Sequence, residues 1–527
     1  MLTLRIILLM FVINVYKCFE FKRVCYYTTW SNHLQEKAAL FQISDIDPHL
    51  CTHVIFAFAD FDEKALRLVK SQVDDDNGEL QPNAKGKYFD FTKLKETNPN
   101  LKTLLSIGGQ RKSETLHLAT ESFESQYKFA ENCRKFLRDR NFDGLDIDWE
   151  FPGIYKNKFT ELLQVVRTEF ESDAIKSNKP RLLLTIEGAQ SKETIDESYN
   201  ITEIVKYLDF INVMTYDYYG AWSSVTGFTG PLFSRYSDAA FKKEYSQNWT
   251  MHYWIQQGAP PEMLVMGTTA TATAFTLNDP SQHDVGSPVK VHGGPEGPFR
   301  KMKGQLSYYE VCHTILAKGG IKVWDNEQKM NYAYLGDQWV GYNDPRSLTE
   351  KVKYAKSIGL GGIMFWTFDL DDFSGKFCGQ GKFPLLQAIS SAALNGNYTR
   401  APTTQHMTPV ITTTKSEIRT TVSTTTSMSS LQTKTSGNQP ASSISTKRPD
   451  NQTDIVSNST EVIINEATSY FVTTQNVLYV NQSTLQEVEI TTQTPRPAFK
   501  LYIIQNGTSG ICFCKILFII TSVLLLR

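Results

Sequence analysis

The sequence predicts an α/β protein whose main part is a barrel of eight parallel strands, that is, a (β/α)8 or TIM barrel. Between residues 19 and 395, eight short apolar runs rich in β-branched and aromatic residues recur, and helical segments separate most of them. Such alternation over this length is typical of a closed parallel sheet surrounded by helices. The connection at about residues 275–345 is too long for an ordinary loop, so we expect a small α+β insertion domain between the seventh and eighth strands.

Each predicted strand is a short, largely apolar run, which is the pattern of a strand buried on both faces of a parallel sheet. The eight runs are Val24–Thr28, Val54–Ala59, Thr103–Ile107, Leu145–Glu150, Leu182–Ile186, Phe210–Tyr216, Leu264–Gly267 and Ile363–Trp366. Helical periodicity is clearest in the segments Phe123–Arg138, Phe159–Phe170 and Leu348–Ile358.

The composition changes abruptly after Asn397. Residues 396–505 are dominated by Thr and Ser with scattered Pro, and a chain of this kind buries too little apolar surface to fold. We therefore predict a disordered Ser/Thr-rich, mucin-like stalk that carries O-linked glycans. An unmodified flexible linker is the alternative.

Both ends of the chain carry apolar segments that are too short to span a bilayer. Residues 1–18 combine Arg5 with an apolar run and polar flanks, which predicts a cleaved secretory signal peptide. Residues 506–527 place small residues, a short spacer and an apolar end in the order of a GPI-attachment signal. A short single-pass anchor and a plain apolar tail are the alternatives. We expect a secreted protein, attached to the cell surface through a lipid anchor if the tail is processed.

The composition agrees with an extracellular protein that does not bind nucleic acid. The 54 basic and 55 acidic residues nearly cancel, so nothing indicates a charged polymer as partner. Secretion permits disulfides, but the spacing of the cysteines does not fix their pairing. Sequons predict N-glycosylation at Asn200, Asn248, Asn397, Asn451, Asn458, Asn481 and Asn506.

The most informative motif is the run of residues 142–150, in which Asp146, Asp148 and Glu150 alternate with apolar residues. Side chains alternate between the faces of a β-strand, so the three carboxylates are expected to share one side. Burying like charges together forces at least one carboxyl to hold its proton at neutral pH. That is how a carboxylic acid becomes a proton donor. A solvated strand edge of alternating charge is the alternative.

Four motifs fall in order along the predicted strands: Ser106–Gly109 on the third, Asp143–Glu150 on the fourth, Met214–Asp217 on the sixth and Gly361–Trp366 on the eighth. Over about residues 22–390 the chain thus resembles the family-18 glycoside hydrolases, specifically the animal chitinases and their chitinase-like relatives. The resemblance implies substrate-assisted, retaining hydrolysis of chitin or chitooligosaccharides, taken here as endo cleavage. A monomer without metal or cofactor is expected.

The resemblance also implies roles for individual residues. Glu150 matches the catalytic acid, Asp148 the acid that orients the substrate's N-acetyl group, and Asp146 the acid beneath it. Tyr216 matches the tyrosine that hydrogen-bonds the acetamide oxygen. Further contacts with substrate are expected from Asp217, Trp366, Met214 and Tyr27.

Outside the site, the resemblance implies two disulfides, Cys25 with Cys51 and Cys312 with Cys378, which leave Cys133 as a buried thiol. Three acids after the eighth strand are expected to be structural rather than metal ligands; they are Asp369, Asp371 and Asp372.

Several residues depart from the family pattern. Thr271 and Thr273 stand where a Tyr and an Arg are expected after the seventh strand, and Gln110 replaces an aromatic residue. Glu187, near the end of the fifth strand, adds a carboxylate where relatives carry a small or apolar residue. If Glu187 faces the barrel mouth, we expect it to bias the protonation of Glu150.

These departures leave three hypotheses for function. Because the catalytic acid is retained, a chitinase is the expected reading. Because stacking surfaces are lost, the alternative is a lectin of the same fold that binds chitin or N-acetylglucosamine with little turnover. A third hypothesis is a stalked surface glycoprotein whose barrel serves only in adhesion.

Overall fold

Strands and helices alternate along most of the computed structural model, which describes residues 20–72, 75, 86–110, 112–290, 292–395, 486–490, 499–504 and 515–519. The strands up to residue 395 are β1 (Lys22–Thr28), β2 (His53–Asp62), β3 (Arg67–Val69), β4 (Lys102–Gly108), β5 (Gly144–Asp148), β6 (Leu183–Gly188), β7 (Phe210–Val213), β8 (Leu264–Thr269), β9 (Ala272–Thr276), β10 (Gln305–Leu306), β11 (Ile321–Asp325), β12 (Met330–Leu335), β13 (Gln338–Tyr342) and β14 (Gly362–Trp366). The helices are α1 (Lys87–Thr92), α2 (Leu94–Thr97), α3 (Phe123–Asp139), α4 (Lys156–Ser177), α5 (Lys192–Ser198), α6 (Ile201–Ile204), α7 (Gln247–Gln256), α8 (Tyr308–Thr314), α9 (Pro345–Ser357) and α10 (Pro384–Leu394).

Eight of these strands form a closed parallel barrel, which confirms the predicted fold. They are paired in the order β1, β14, β8, β7, β6, β5, β4 and β2, and β2 pairs in turn with β1. β5 ends at Asp148 and β7 ends at Val213. Glu150 and Tyr216 therefore lie just beyond the strands that were expected to contain them.

Alternation along the barrel strands separates two layers of the core. The inward-pointing side chains form one apolar cluster, which comprises Val24, Tyr26, Ile55, Ala57, Leu104, Phe210, Met214, Tyr216, Val265 and Met364. The outward-pointing side chains pack against the helices in a larger cluster. In β1, Tyr26 thus points into the barrel, whereas Cys25 and Tyr27 point toward the helices.

The long connection between β8 and β14 forms the predicted insertion domain. It contains α8 and a five-stranded antiparallel sheet in the order β10, β9, β13, β12, β11. β9 begins at Ala272, slightly before the predicted boundary, because only Ala270 and Thr271 separate it from β8.

Both implied disulfides are present. Cys25–Cys51 connects β1 to the segment before β2, and Cys312–Cys378 connects α8 to the segment after β14. Cys133 is a buried thiol, as expected.

Three short strands are described beyond residue 395. They are β15 (Gln486–Ile490), β16 (Phe499–Ile504) and β17 (Lys515–Ile519), and they form an antiparallel sheet in that order. The first two fall inside the range predicted as stalk, and their β-branched and aromatic residues distinguish them from the Thr/Ser-rich sequence around them. Within the described part of the chain, no helix is long and apolar enough to cross a membrane.

Several predictions for the two ends of the chain are not tested by this structure. The predicted signal peptide, the rest of the stalk, most of the C-terminal signal and the sequons from Asn397 onward lie outside the described residues. Asn200 and Asn248 are described and partly exposed, and glycosylation there stays a prediction.

Candidate active site

β5 delivers the three predicted carboxylates to the C-terminal mouth of the barrel. Asp146 lies within the strand, Asp148 ends it, and Glu150 follows two residues later. Asp146 and Asp148 are buried, whereas Glu150 is half-buried. Because catalytic groups of TIM barrels stand at this end of the strands, the arrangement presents Glu150 to a ligand and keeps the two aspartates behind it.

Asp146 is held by hydroxyl groups. Its Oδ2 accepts hydrogen bonds from Tyr26 Oη (3.0 Å) and Ser106 Oγ (2.7 Å). Its Oδ1 accepts one from Thr185 Oγ1 (2.5 Å). These donors favour the carboxylate, but complete burial outweighs them and raises the pKa of Asp146 above its usual value.

Asp148 and Glu150 are arranged to hold a proton. Asp148 Oδ1 is buried and has no hydrogen-bond partner among the described residues. Burial, together with the charges of Glu150 and Asp146, raises the pKa of Asp148 well above its usual range. Burial and the charge of Asp217 also raise the pKa of Glu150, against a backbone hydrogen bond from Gln110 that lowers it. The neighbouring acids therefore lose their protons at higher pH than isolated carboxyls do.

Backbone contacts fix the ends of β4 and β5 beside each other. Gly109 N donates to Asp148 O (2.7 Å). The Ser113 hydroxyl donates to Gly109 O (2.8 Å), with Asp148 O at 3.1 Å as a second acceptor of the same proton, and it accepts a hydrogen bond from Glu150 N (2.9 Å). Gly108 has a φ of +100°, and a Cβ there would lie 2.1 Å from Asp148 O. Gly108 and Gly109 thus support the barrel through close backbone approach.

Tyr216 and Met214 line the inside of the barrel near Trp366. Both belong to the inward-pointing apolar cluster, against which Trp366 packs. Tyr216 Oη lies 4.0 Å from the thioether sulfur of Met364. Burial, followed by the charge of Glu187, raises the pKa of Tyr216 well above its usual value, so its hydroxyl stays a neutral donor.

Asp217 stands at the exposed rim of the same opening. One of its carboxylate oxygens accepts a hydrogen bond from Thr229 Oγ1 (3.2 Å). The surrounding protein removes enough water from the carboxyl to raise its pKa. Because Asp217 also raises the pKa of Glu150, the structure brings the β5 and β7 motifs together.

Aromatic side chains form one wall of the opening. The half-buried ring of Trp366 lies 5.3 Å from Tyr26, 6.3 Å from Phe58 and 6.4 Å from Trp30, measured between ring centroids. Trp30 is 36% exposed. This wall offers an apolar surface on which a flat ligand ring can stack.

The prediction that Tyr27 contacts substrate is wrong. Tyr27 is fully buried on the helix side of β1, where its ring packs against Phe41, Phe56 and Phe91. Side chains alternate along the strand, so Tyr27 shares the outward face of the disulfide-bonded Cys25. The tyrosine that reaches the site is Tyr26, which sequence reasoning missed.

Glu187 points into the barrel, as hypothesised. It is buried, its carboxyl contacts Tyr26 Oη, and Asn212 Nδ2 donates to the same hydroxyl at 3.0 Å. Burial, Asp146 and Asp148 raise the pKa of Glu187 well above its usual range. The charges that act on Glu187 are thus those of the two aspartates, and Glu150 is not among them.

The other residues that depart from the family pattern differ in their burial. Thr273 is buried in β9, where its Oγ1 donates to Gly227 O (2.8 Å). Thr271 is half-buried and Gln110 is exposed. The expected Arg position is therefore occupied by a neutral side chain that is tied to the backbone.

The acids that follow β14 make structural contacts. Asp371 accepts hydrogen bonds from the backbone N–H groups of Leu385 and Leu386, at the start of α10. Asp369 forms an ion pair with Arg300. Among the residues that the structure describes, no group of three His, Cys, Asp or Glu side chains could hold a metal ion.

A TIM barrel that presents a proton-holding glutamate beyond two buried aspartates has the fold and the acid of a glycoside hydrolase. The chain belongs to the glycosyl hydrolases family 18, whose family model matches residues 22–371. Chitotriosidase-1 of Mus musculus is 39% identical to it over 382 residues, which are 70% of this chain and 77% of that protein.

Solved structures of similar proteins include both chitinases and a binding protein. An immunomodulatory active chitinase from Trichuris suis has a TM-score of 0.67 at 31% identity, over 71% of this chain and 100% of that chain. Human YKL-39, described as a pseudo-chitinase with retained chitooligosaccharide binding properties, has a TM-score of 0.65 at 37% identity, over 71% of this chain and 99% of that chain. Family membership alone therefore does not decide between turnover and binding.

Proposed function

We propose that the chain is a chitinase that hydrolyses β-1,4-linked N-acetylglucosamine polymers by substrate-assisted, retaining catalysis. The observation that carries the proposal is the presence of Glu150 at the barrel mouth, where burial and Asp217 raise its pKa. A carboxyl that keeps its proton near neutral pH can act as a general acid. The names of similar proteins support a chitooligosaccharide as the ligand.

In the first step, Glu150 gives its proton to the glycosidic oxygen as the bond from that oxygen to C1 breaks. The carbonyl oxygen of the substrate's own acetamide bonds to C1, and a positively charged oxazolinium ion forms in place of a glycosyl-enzyme. Asp148, whose Oδ1 is buried and unpartnered among the described residues, accepts the acetamide N–H and stabilises the charge. Tyr216 donates a hydrogen bond to the acetamide oxygen.

In the second step, a water molecule attacks C1 from the side that the leaving group vacated. Glu150, now a carboxylate, takes a proton from that water, and the bond from C1 to the acetamide oxygen breaks. The acetamide and the protonated Glu150 are thereby restored, and the configuration at C1 is retained.

The proposal extends to the setting of the enzyme. We take cleavage to be internal (endo) and the enzyme to be a secreted monomer, attached to the surface if the C-terminal signal is processed. The two disulfides support an oxidising compartment.

The test is hydrolysis of a fluorogenic chitooligosaccharide by the full chain and by its Glu150→Gln variant. We expect turnover by the parent and a loss of about 10²–10⁴-fold in the variant, the usual contribution of a general acid. Binding of an unlabelled oligosaccharide, measured by calorimetry, should persist in the variant. Equal loss of binding in a folded variant would contradict the role given to Glu150.

The second candidate function is a chitooligosaccharide-binding lectin. The observation that favours it is the neutral, buried Thr273 where family members carry an Arg. A folded parent chain that binds the oligosaccharide but does not cleave it would establish the lectin in place of the chitinase.

A further inference from the structure

Asp217, the acid that follows Tyr216, is held by one buried residue, Thr229. The Thr229 hydroxyl donates a hydrogen bond to Asp217 Oδ1 (3.2 Å) and accepts one from Asp217 N (3.1 Å). The carbonyl oxygen of Thr229 accepts a further hydrogen bond from Tyr218 N (3.0 Å). The φ of Asp217 is +61°, a left-handed conformation that residues with a side chain rarely adopt. The contacts of Thr229 therefore fix both the backbone and the carboxyl of Asp217.

The segment that carries Thr229 is itself held by two helices. Lys351 on α9 is buried, and its Nζ donates a hydrogen bond to Gly230 O (2.7 Å). At the start of α7, the backbone N–H of Gln247 donates to Pro231 O (2.9 Å). Thr229 thus presents its hydroxyl to Asp217 from a fixed position.

The carboxyl of Asp217 depends on this hydroxyl because it stands at the exposed rim of the opening. In the part of the chain that the structure describes, Thr229 is the one residue that donates a hydrogen bond to this carboxyl. Burial raises the pKa of Asp217, and the hydrogen bond from Thr229 opposes that rise. Without the hydroxyl, the carboxyl would keep its proton to higher pH or turn toward the solvent.

Either change would weaken the negative charge beside Glu150. Burial, followed by the charge of Asp217, raises the pKa of Glu150. Glu150 is not among the charges that act on Asp217, so Asp217 ionises first. The other titratable groups that interact with these two acids are Asp148 at the end of β5, Tyr199 after α5 and Tyr216 after β7. All of them are acids, so none of them offsets the charge of Asp217.

We propose that Thr229 is a positioning residue, whose hydroxyl holds the carboxylate of Asp217 beside Glu150 so that Glu150 keeps its proton to higher pH. The proposal rests on the proposed function, because it takes Glu150 as the general acid. The hydrogen bonds of Thr229 run to Asp217 and Tyr218, so its effect on Glu150 passes through Asp217.

The first test is the pH dependence of kcat/KM for Thr229→Val in the full chain, with a chitooligosaccharide substrate. Valine replaces the hydroxyl with a methyl group of similar size. The alkaline limb of kcat/KM reports the acid of the free enzyme, and we expect it to move to lower pH. After normalisation to the maximum, activity on that limb should be about 3- to 10-fold below wild type, as expected when one nearby charge is weakened. Thr229→Ser, which keeps the hydroxyl, should restore the wild-type profile.

A second substitution tests whether Thr229 acts through Asp217. Asp217→Asn removes the charge itself and should also move the alkaline limb to lower pH. Because the two residues form one chain of contacts, the double variant should move the limb no further than Asp217→Asn alone. Additive shifts, or an equal loss of activity at every pH, would overturn the proposal. If Thr229→Val does not fold, an alkaline limb that Asp217→Asn leaves unchanged would also overturn it.

The matched control is Thr226→Val, the same change in the same segment. The Thr226 hydroxyl is also buried, and it donates to Asp284 O (2.7 Å) and accepts from Gly286 N (2.9 Å). Its loss should leave the normalised pH profile at that of wild type. A shift as large as that of Thr229→Val would show that the effect does not depend on Asp217, and the proposal would fail.

The last test needs no substrate. The carbonyl stretch of the protonated Glu150 carboxyl is obtained as the infrared difference between a protein and its Glu150→Gln variant, followed as a function of pH. The band should disappear at lower pH in the Thr229→Val background than in wild type. Equal midpoints would overturn the role given to Thr229. If the midpoints differ as expected but the parent chain does not hydrolyse chitooligosaccharides, the proposed function fails while the effect of Thr229 on the proton stands.

Discussion

Lys351 is a buried lysine on α9 whose removal should change how stability depends on pH. Its Nζ donates hydrogen bonds to Gly230 O and to Asn343 Oδ1, both at 2.7 Å. Burial lowers its pKa to about 7, against the opposing charge of Asp344. Lys351→Met keeps most of the aliphatic chain and removes the titrating amine.

The magnitude follows from the difference in pKa between the folded and unfolded states. The pKa of Lys351 is about 7 in the fold and 10.5 without it, so between these values the unfolded chain binds one proton more than the folded chain. The free energy of unfolding of wild type therefore rises with pH by about 1.4 kcal/mol per unit in this window. The destabilisation caused by burying the amine of Lys351 is fully present below about pH 7 and is lost as pH rises. Relative to Lys351→Met, wild type should gain about 2 kcal/mol between pH 7 and pH 9.

The assay is urea denaturation of both proteins across this range. Lys353→Met is the matched control, because Lys353 lies on the same helix but is exposed and pairs with Glu350 at the surface. Its difference from wild type should not vary between pH 7 and pH 9. If the difference between wild type and Lys351→Met is constant over the same range, Lys351 is charged in the folded state and the reasoning fails.

Three further substitutions test other parts of the barrel. Gly108→Ala places a Cβ 2.1 Å from Asp148 O at a φ of +100°, so urea denaturation should show a loss of about 2–4 kcal/mol; wild-type stability would rule out the close-approach role. Trp366→Ala, made in the Glu150→Gln background, should weaken chitooligosaccharide binding about 10- to 100-fold in calorimetry, by analogy with base stacking; unchanged affinity would remove Trp366 from the ligand surface. Asp143→Ala loses hydrogen bonds to the start of β4 and should cost about 1–3 kcal/mol. Because Asp143 precedes β5, opposite the mouth, kcat of the folded variant should stay at the wild-type value, and a large fall would contradict this placement.

The barrel could be predicted because its strands are buried on both faces and so give continuous apolar runs. The same continuous apolar pattern does not show at which residue a strand ends. Alternation continues through Glu150 in the sequence, but the ladder of β5 ends at Asp148. After β7, the backbone N–H of Tyr216 bonds to Met214 O at 2.7 Å, within the same segment, although the sequence is as β-rich as before.

Burial on both faces also explains the error at Tyr27. Tyr26 and Tyr27 are equally aromatic and equally buried, so composition cannot say which of them faces the barrel interior. Which side chains of β1 point outward could have been inferred from Cys25, because its disulfide partner Cys51 precedes β2 and lies in the outer layer of the core. Two residues on, Tyr27 has the same orientation.

The acids of the β5 motif could be predicted as a group because their spacing is local. The partner of Glu187 could not, because Tyr26 lies 161 residues away along the chain. The sequence indicated only that an extra carboxylate stood near the end of a strand. The closure of the barrel decides that it meets a tyrosine hydroxyl beside Asp146 rather than Glu150.

The contacts of Ser113 support the backbone of the site without depending on the protonation of its carboxyls. The hydroxyl shares its proton between Gly109 O and Asp148 O and accepts a hydrogen bond from Glu150 N, so it binds main-chain atoms and neither carboxyl. A serine hydroxyl does not ionise in the range in which carboxyls titrate. A change in the protonation of the Glu150 carboxyl therefore leaves the hydrogen bonds that hold its backbone at constant strength. Had a carboxylate side chain held this backbone, each proton transfer would also have loosened or tightened the support.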